Sequence, residues 1–282
     1  MMKLKKISLL IFLSFAFSQA EFQISTIPQN AKEVSNYKGF SALNLQKKIS
    51  KNLYFDFINF PSNINYVNLK YKRISLSILD FGIITDAVDN TIFNTFNAYE
   101  LKLDYYFNKN IADKFLFNSS IGIIHSQIDN YNSSAISSNY QFSTSLKKEK
   151  INFSLAINNF GVLLDSYTYI DEKLPLQFQF GIAHTISKTK IILGYDLIHH
   201  TNIKKNESIF CMQFSITNSI AFRFSTSNFR NDLLTGDIKR DWLYGFGYGL
   251  TINSDRVKSD IGISSLGDAG LIYAVSVNYH VN

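Results

Sequence analysis

The chain has 282 residues, with 28 Lys and Arg against 22 Asp and Glu, which gives a formal net charge of +6. Positive charge this weak and dispersed excludes an electrostatic footprint for nucleic acid. The single cysteine, Cys211, excludes an intramolecular disulfide framework. Sixteen Tyr and 25 Phe against three Pro and 13 Gly indicate a β-rich protein with strong use of aromatic side chains.

The first twenty residues have the pattern of a secretory signal peptide. Three lysines precede a short apolar core at residues 7–17, and Ser-Gln-Ala at residues 18–20 is a small-x-small cleavage site. The apolar core is too short to cross a membrane as a helix. We therefore expect an exported mature chain that starts at Glu21. Removal of the three lysines lowers its net charge to +3.

Strict alternation of apolar and polar side chains dominates the rest of the chain. Within residues 150–161, Ile151, Phe153 and Leu155 share one face, and polar or small residues share the other. The same alternation returns at residues 176–183. A period of two indicates β-strands. Because one face stays polar or small from strand to strand, the pattern is typical of a transmembrane barrel with lipid outside and a polar lumen.

Segments of strand length follow one another from residue 52 to the end of the chain. Their number is even, as a closed single-chain bacterial barrel requires. We therefore predict an all-β fold, a transmembrane antiparallel up-and-down β-barrel of about 14 strands. The predicted strands cover residues 52–60, 64–71, 73–81, 96–108, 114–127, 134–147, 150–160, 175–187, 190–199, 207–217, 219–228, 240–253, 256–265 and 271–281.

The stretch before the first predicted strand has poor strand character, yet it carries apolar side chains such as Phe22 and Phe40. These side chains need burial, and the near end of the lumen is the closest place for it. We therefore divide the chain into a signal peptide at 1–20, an N-terminal plug or lumen-lining segment at 21–51 and an outer-membrane β-barrel at 52–282. A periplasmic tail is the alternative for the second part.

The connections between predicted strands alternate in length. Turns such as 71–73 and 188–189 are short, whereas 82–95, 161–174 and 229–239 are longer and rich in Asp, Asn and Thr. Short periplasmic turns and longer outer loops are expected of outer-membrane barrels. We therefore predict a Gram-negative outer-membrane location with lipid around the barrel. A soluble sandwich would show the same alternation, but the signal peptide, the strand number and the loop asymmetry favour the barrel.

Five charged residues lie within predicted strands on the face opposite to the apolar one: Glu100, Lys102, Asp104, Asp196 and Arg223. Near the bilayer midplane a lipid-facing Arg or Lys costs about 2–4 kcal/mol, so we expect these polar residues to face the lumen. Two interpretations stay open at this point. The residues form a charge network or ligand site, or they fill the lumen as paired polar side chains.

Several stretches resemble the PorV/PorQ family of outer-membrane barrels. Residues 154–161 form an apolar strand that ends in Asn-Phe-Gly, and residues 174–184 begin with Leu-Pro and contain a glycine among small residues. Residues 245–249 and 260–270 are similar to the family's C-terminal part, and residues 27–32 are similar to its Pro-x-x-Ala-Arg segment, with lysine replacing arginine. The resemblance implies a FadL-like barrel of fourteen strands, and some members of the family serve type IX secretion.

The sequence contains no nucleophile elbow, no phosphate-binding glycine loop and no zinc-ligand spacing. We therefore predict that the protein is not an enzyme and has no catalytic, cofactor-binding or metal site. The resemblance implies a scaffold or shuttle in type IX-like protein secretion, with secretion components or secreted cargo proteins as partners. The alternative is FadL-like transport of a small hydrophobic ligand across the outer membrane.

Overall fold

The computed structural model describes residues 22–43, 51–88, 91–112, 115–146, 150–167, 173–186, 189–237 and 241–281. The predicted signal peptide and residues 44–50 of the predicted N-terminal segment lie outside this part of the chain. Within the described ranges, no helix is both long enough and apolar enough to span a membrane.

Strands make up most of the described chain, and each pairs with its neighbours in sequence. The first seven are β1 (Asn52–Asn59), β2 (Asn65–Tyr71), β3 (Ile74–Val88), β4 (Thr91–Ala112), β5 (Phe115–Ile128), β6 (Tyr131–Leu146) and β7 (Ile151–Asp165). The last seven are β8 (Gln177–Thr185), β9 (Ile191–His200), β10 (Lys205–Ser215), β11 (Ile220–Ser227), β12 (Phe246–Asn253), β13 (Val257–Ser265) and β14 (Leu271–His280). β1 also pairs with β14, so the sheet closes and the predicted 14-stranded up-and-down barrel is confirmed.

The closing pair defines the two rims of the barrel. β1 starts opposite the end of β14, with Asn52 facing His280 in the register. We call this end the terminal rim and the opposite end the far rim. One α-helix, α1 (Ala31–Asn36), precedes β1 in the described chain. In the described ranges, four 3₁₀ turns occupy Gln23–Ser25, Pro61–Asn63, Asn228–Leu233 and Gly267–Ala269.

The inner and outer faces of the wall differ sharply in polarity. On β4, Leu103 and Tyr105 are about half exposed on the outside, whereas Lys102 and Asp104 are each 2% exposed. Other outward-facing apolar residues include Phe55, Leu76, Phe180, Tyr195, Phe222 and Tyr248. A closed sheet has no unpaired edge, so its backbone groups are bonded within the wall while the apolar side chains face outwards. This is the design of a transmembrane barrel.

The structure corrects the predicted loop at 82–95, which belongs to a long hairpin. β3 continues to Val88 and β4 begins at Thr91, with Ile83 opposite Asn97. The register shifts after Asp80, where Gly82 has a φ of +70°. A bulge of this kind bends a strand without ending it. The two strands then supply each other's hydrogen bonds, so the Asp and Asn content does not force a loop.

Two further boundaries differ from the prediction. β7 continues through residues 161–165 of the predicted loop 161–174, paired with β6 as far as Ser134 opposite Asp165. The predicted strand 240–253 starts only at Phe246, because Gly245 has a φ of +69° and residues 242–245 form a turn. Of the third predicted outer loop, 229–239, residues 229–233 belong to a 3₁₀ turn.

A substitution at Leu103 tests whether the outer face of β4 contacts lipid. Leu103→Arg places a charge on the apolar face of β4, and we expect a loss of about 2–4 kcal/mol in folding free energy. Folding yield into lipid vesicles, read from heat-modifiable migration on gels, measures the effect. Leu103→Ala is the matched control and should fold nearly as well as the unmodified chain. Equal yields for the two variants would contradict a lipid-facing position.

Candidate functional site

The described part of the N-terminal segment, residues 22–43, lies inside the barrel. Its helix α1 packs against the inner faces of β11, β12, β13 and β14. Asn30 Oδ1 accepts a hydrogen bond from Glu33 N at 3.0 Å, and Glu33 Oε2 accepts one from Gln29 N at 2.9 Å. The first bond satisfies an amide that the start of the helix leaves unpaired, and the second fixes the chain that enters the helix. Tyr37, with a φ of 49°, ends the helix.

Large apolar side chains of the segment are buried against the wall. Phe22, Ile24 and Val34 form one cluster with inward-facing wall residues toward the far rim, among them Ile58, Tyr66, Leu79, Ile124, Ala135, Ile272 and Ala274. Phe40 enters a second cluster with Ala183, Ile198, Ile209 and Cys211. Full burial of such a side chain contributes about 1.5–3 kcal/mol. The far half of the lumen is therefore an apolar, protein-filled space.

Glu100 of β4 binds the start of the segment. Its Oε1 accepts a hydrogen bond from Gln23 N at 3.0 Å, and its Oε2 accepts one from Ile24 N at 2.6 Å. The carboxylate is 3% exposed. Hydrogen bonds to an ionised carboxylate are about twice as strong as neutral ones, and both amide groups belong to a turn with few partners of its own. Glu100 is therefore one attachment point of the segment.

Asp196 of β9 binds the other end of the segment. Its Oδ2 accepts from Phe40 N at 2.6 Å, and its Oδ1 accepts from Ser41 N at 3.2 Å and from the Ser41 hydroxyl. The wall residue Gln179 donates to Oδ1 at 3.0 Å. A fully buried carboxylate with this many donors is satisfied in place. Removing the segment would leave it without most of them.

Arg223 of β11 binds helix α1 in the middle of the segment. Its Nε donates to Ser35 Oγ at 3.1 Å, and its Nη1 donates to Asp260 Oδ1 of β13 at 3.0 Å. Asp260 Oδ2 lies 3.8 Å from Lys32 Nζ on the helix. Ser225 adds a hydrogen bond from its hydroxyl to Ser35 O at 2.6 Å. This network joins α1 to two strands at once.

Lys102 and Asp104 have a different arrangement from the other predicted residues. Both lie on β4, and Lys102 Nζ is 3.3 Å from Asp104 Oδ2. No hydrogen bond joins either of them to the described part of the N-terminal segment. The structure thus brings Glu100, Asp196 and Arg223 to the segment and leaves Lys102 and Asp104 as an ion pair within the wall.

Glycines of the inner wall make room for the segment. A Cβ at Gly249 would lie 2.6 Å from Ser35 Oγ, and a Cβ at Gly262 would overlap the carbonyl oxygen of Ala31. Similar overlaps with the segment would arise at Gly181, Gly194 and Gly247. Real Cβ atoms do not approach other atoms this closely. The backbone of the segment therefore lies directly on the backbone of the wall.

Sequence reasoning missed three members of this site: Asp260, Lys32 and Ser35. A signal for Asp260 was present, because it alternates with the apolar residues of the predicted strand 256–265 on the same face as Gly262. Asp260 is thus a charged strand residue on the face opposite to the apolar one, which is the rule that selected Glu100 and the other strand charges. Lys32 and Ser35 lie in a segment with no strand period, so no pattern in the sequence places them near Arg223.

A cavity of about 730 Å³ remains between the segment and the terminal rim. Residues at the start of β1 and the end of β14 line it, among them Asn52, Tyr54 and Asn278. Its walls carry many Asn, Gln and Ser side chains together with several lysines. The segment therefore divides the lumen into an apolar far half and a polar terminal half. Among the described residues, no group of three or more His, Cys, Asp and Glu is placed to hold a metal ion.

Comparison with known proteins identifies the fold. No family model matches the chain, and no curated protein matches it. The deltaS2S3 mutant of the monoaromatic hydrocarbon channel TodX, a Pseudomonas putida protein, is 9% identical with a TM-score of 0.58, covering 89% of this chain and 99% of that one. A FadL homologue of Pseudomonas aeruginosa is 8% identical with a TM-score of 0.49, covering 91% and 99%. The toluene transporter TbuX of Ralstonia pickettii is 7% identical with a TM-score of 0.48, covering 82% and 89%.

The likeness to the TodX mutant is one of fold: this chain shares the β-barrel architecture of that channel. Two observations therefore confirm the predicted fold class: the strand order of this chain and its likeness to a solved β-barrel. None of the three similar proteins is named as an enzyme. None is named as a member of the PorV/PorQ family either.

The contacts of Asp196 predict a measurable effect on the segment. Asp196→Asn keeps the shape of the side chain but removes the charge and turns an amide group toward two backbone donors. Losing charge-assisted hydrogen bonds costs about 1.5–3 kcal/mol, so the displaced state should become about 10- to 160-fold more populated. Cys211 packs next to Phe40 and is the only cysteine. Its labelling rate by a water-soluble maleimide in the folded barrel should rise accordingly.

Asp165→Asn is the control for that measurement. Asp165 ends β7 at the far rim, is exposed, and its Oδ1 accepts a hydrogen bond from Ser166 N at 3.0 Å. We expect the labelling rate of Cys211 to stay close to that of the unmodified chain. An equal rise in both variants would mean that the wall, not the segment, controls access to the thiol.

The close approach at Gly262 predicts displacement of α1. Gly262→Ala adds a Cβ that meets the backbone carbonyl of Ala31, so the helix must shift. Trypsin cleavage after Lys32, followed by mass spectrometry of the folded barrel, should become faster. Ser264→Ala is the matched control, since Ser264 is a buried inward-facing residue of the same strand. Protection of Lys32 in both variants would contradict the close packing of α1.

Proposed function

We propose that this protein is an outer-membrane channel that passes small hydrophobic molecules, and that the N-terminal segment closes it. The observation that carries the proposal is the position of residues 22–43, which fill the far half of the lumen by apolar contacts and by hydrogen bonds to Glu100, Asp196 and Arg223. The wall strands pair with one another around the full circle, so the backbone pairing of the barrel does not depend on the segment. In this proposal the whole stretch 21–51 acts as the plug.

The outer-membrane location rests on the wall. Its outside is apolar, and its backbone groups are paired around the full circle. Barrels of this kind are the strand-based solution for crossing a bilayer, and they occur in outer membranes. The same apolar surface supports the prediction that membrane lipids surround the barrel. The predicted signal peptide would supply the export step.

The far half of the lumen supports the proposal that the transported molecules are hydrophobic. A water-filled porin has a polar interior, whereas here the wall offers Ile58, Leu79, Ile124 and Ile272 to the inside. These groups would line the space left by Phe22 and Ile24 when the segment moves. The similar TodX mutant is named as a monoaromatic hydrocarbon channel, and this likeness of fold supports the same class of cargo.

The PorV/PorQ resemblance and the secretion role that it implies stay predictions. No similar protein reported above carries that name. The described residues offer no particular surface that favours a secretion component or a cargo protein over lipid. Transport is therefore the function that the lumen supports better.

The close contact between Gly39 and Cys211 allows a direct test of the plug. A Cβ at Gly39 would lie 2.6 Å from Cys211 Sγ, so Gly39→Cys should form a disulfide that locks the segment to β10. In cells that lack other hydrophobic channels, we expect the unmodified chain to speed the uptake of toluene. The oxidised Gly39→Cys variant should lose at least about tenfold in uptake rate, and dithiothreitol should restore it, because only the lock prevents movement.

Gly39→Ser is the control, since serine has nearly the size of cysteine and cannot form the disulfide. Its uptake should not respond to oxidant or to dithiothreitol. If the locked variant transports toluene as fast as the reduced one, the segment is not the gate. If the unmodified chain gives no uptake above that of cells without it, transport of small hydrophobic molecules is wrong.

A further inference from the structure

Exposed charged side chains differ in sign between the two rims. At the terminal rim the described chain exposes one carboxylate, on Asp255, and seven cations: Lys51, Lys72, Arg73, Lys109, Lys150, Lys190 and Arg256. At the far rim it exposes three lysines, Lys173, Lys204 and Lys205, and six carboxylates: Asp80, Asp129, Asp165, Asp232, Asp237 and Asp268. In the sequence, the remaining residues of the terminal-rim connections, 113–114, 147–149 and 187–188, add four lysines against two acidic residues. The terminal rim is therefore basic and the far rim acidic.

Cations of the terminal rim contact aromatic side chains on the outside of the wall. Arg73 Nη1 donates a hydrogen bond to Tyr105 Oη at 3.1 Å, and Lys72 Nζ lies 5.0 Å from the ring centre of Tyr71. Tyr71 and Tyr105 both face outwards and are nearly half exposed. Aromatic residues on the outside of a membrane barrel lie where the hydrocarbon meets the head groups. These cations are therefore at the depth of lipid phosphates.

The other cations continue this arrangement around the barrel. Lys109 lies on β4, and Lys150, Lys190 and Arg256 lie directly before β7, β9 and β13. Lys190 Nζ donates to the carbonyl oxygen of the exposed residue Ile216 at 3.3 Å, at the end of the neighbouring strand β10. The strands follow one another in chain order, so the cations are spread around the circumference.

This ring of charge fits a lipid leaflet better than a single bound molecule. A small ligand needs groups that converge on one pocket, and a protein partner usually covers one patch of the surface. Lipid surrounds a membrane barrel on every side. Clustered Lys and Arg side chains at a membrane interface are attracted to anionic lipids, over a distance that the salt concentration limits.

We propose that the terminal rim binds the head groups of anionic phospholipids in the leaflet around it, in preference to uncharged head groups. Short turns such as Lys72–Arg73 lie on the periplasmic side of outer-membrane barrels, so this is the leaflet that faces the periplasm. The acidic far rim repels the same lipids. The charges would thus hold the barrel in one orientation and at one depth. This inference goes beyond the proposed channel, because it concerns the outside of the wall and not the lumen.

Electron spin resonance of spin-labelled lipids tests the proposal, with the purified full barrel in phosphatidylcholine vesicles. We expect labelled phosphatidylglycerol to associate with the barrel at least about threefold more strongly than labelled phosphatidylcholine, because only phosphatidylglycerol has a net negative charge. In about 1 M salt the screening length falls to about 3 Å, and the preference should disappear. The triple variant Lys72→Gln, Arg73→Gln, Lys190→Gln should reduce the preference at least about twofold. Heat-modifiable migration establishes that each variant is folded.

The triple variant Lys173→Gln, Lys204→Gln, Lys205→Gln is the matched control, because it removes the same amount of positive charge at the far rim. It should keep the preference of the unmodified chain. An equal loss in both triple variants would overturn the proposal, since net charge and not the terminal rim would then attract the lipid. Equal association of both lipids with the unmodified barrel would also overturn it, and would leave a soluble acidic partner as the occupant of the rim. Neither result depends on whether the barrel transports toluene.

Discussion

The structure depends on a mutual need for hydrogen bonds between the inner wall and the N-terminal segment. Glu100 and Asp196 are charged groups enclosed in the lumen, and each needs several donors to stay there. The segment has short turns whose amide groups need acceptors, and it supplies Ile24 N and Phe40 N to those two carboxylates. Neither partner is satisfied alone. The charges therefore select one depth and one orientation for the segment within the barrel.

Packing reinforces that selection. The segment approaches the wall closely because glycines such as Gly249 and Gly262 face it, while Phe22 and Val34 fill the wider space toward the far rim. Residues 22–43 leave a volume next to the terminal rim, and polar side chains of the wall line it. The same arrangement thus produces both a closed barrel and an accessible polar cavity.

The sequence allows the barrel to be predicted far better than its contents. Strand number and facing follow from a period of two, and the main errors arose at 82–95 and 240–245, where a bulge and a left-handed glycine decide the structure. Contacts such as Ile24 with Glu100 join residues 76 positions apart, and they depend on the register of every strand between them. Period-two reasoning places Glu100 on the inner face, but it does not identify its partner.

The height of the wall has a consequence for the shape of any opening. β4 has 22 residues, whereas β11 and β12 have eight each and β2 has seven, so the wall is tall on the β3–β7 side and low on the side that runs from β8 through β14 to β2. The glycines under the segment lie on that same low side, on β8, β9, β12 and β13. Withdrawal of the segment would therefore clear an eccentric groove along the short wall. A molecule that arrives at the far rim would meet this groove on the low side of the barrel, across from the tall β3–β4 hairpin.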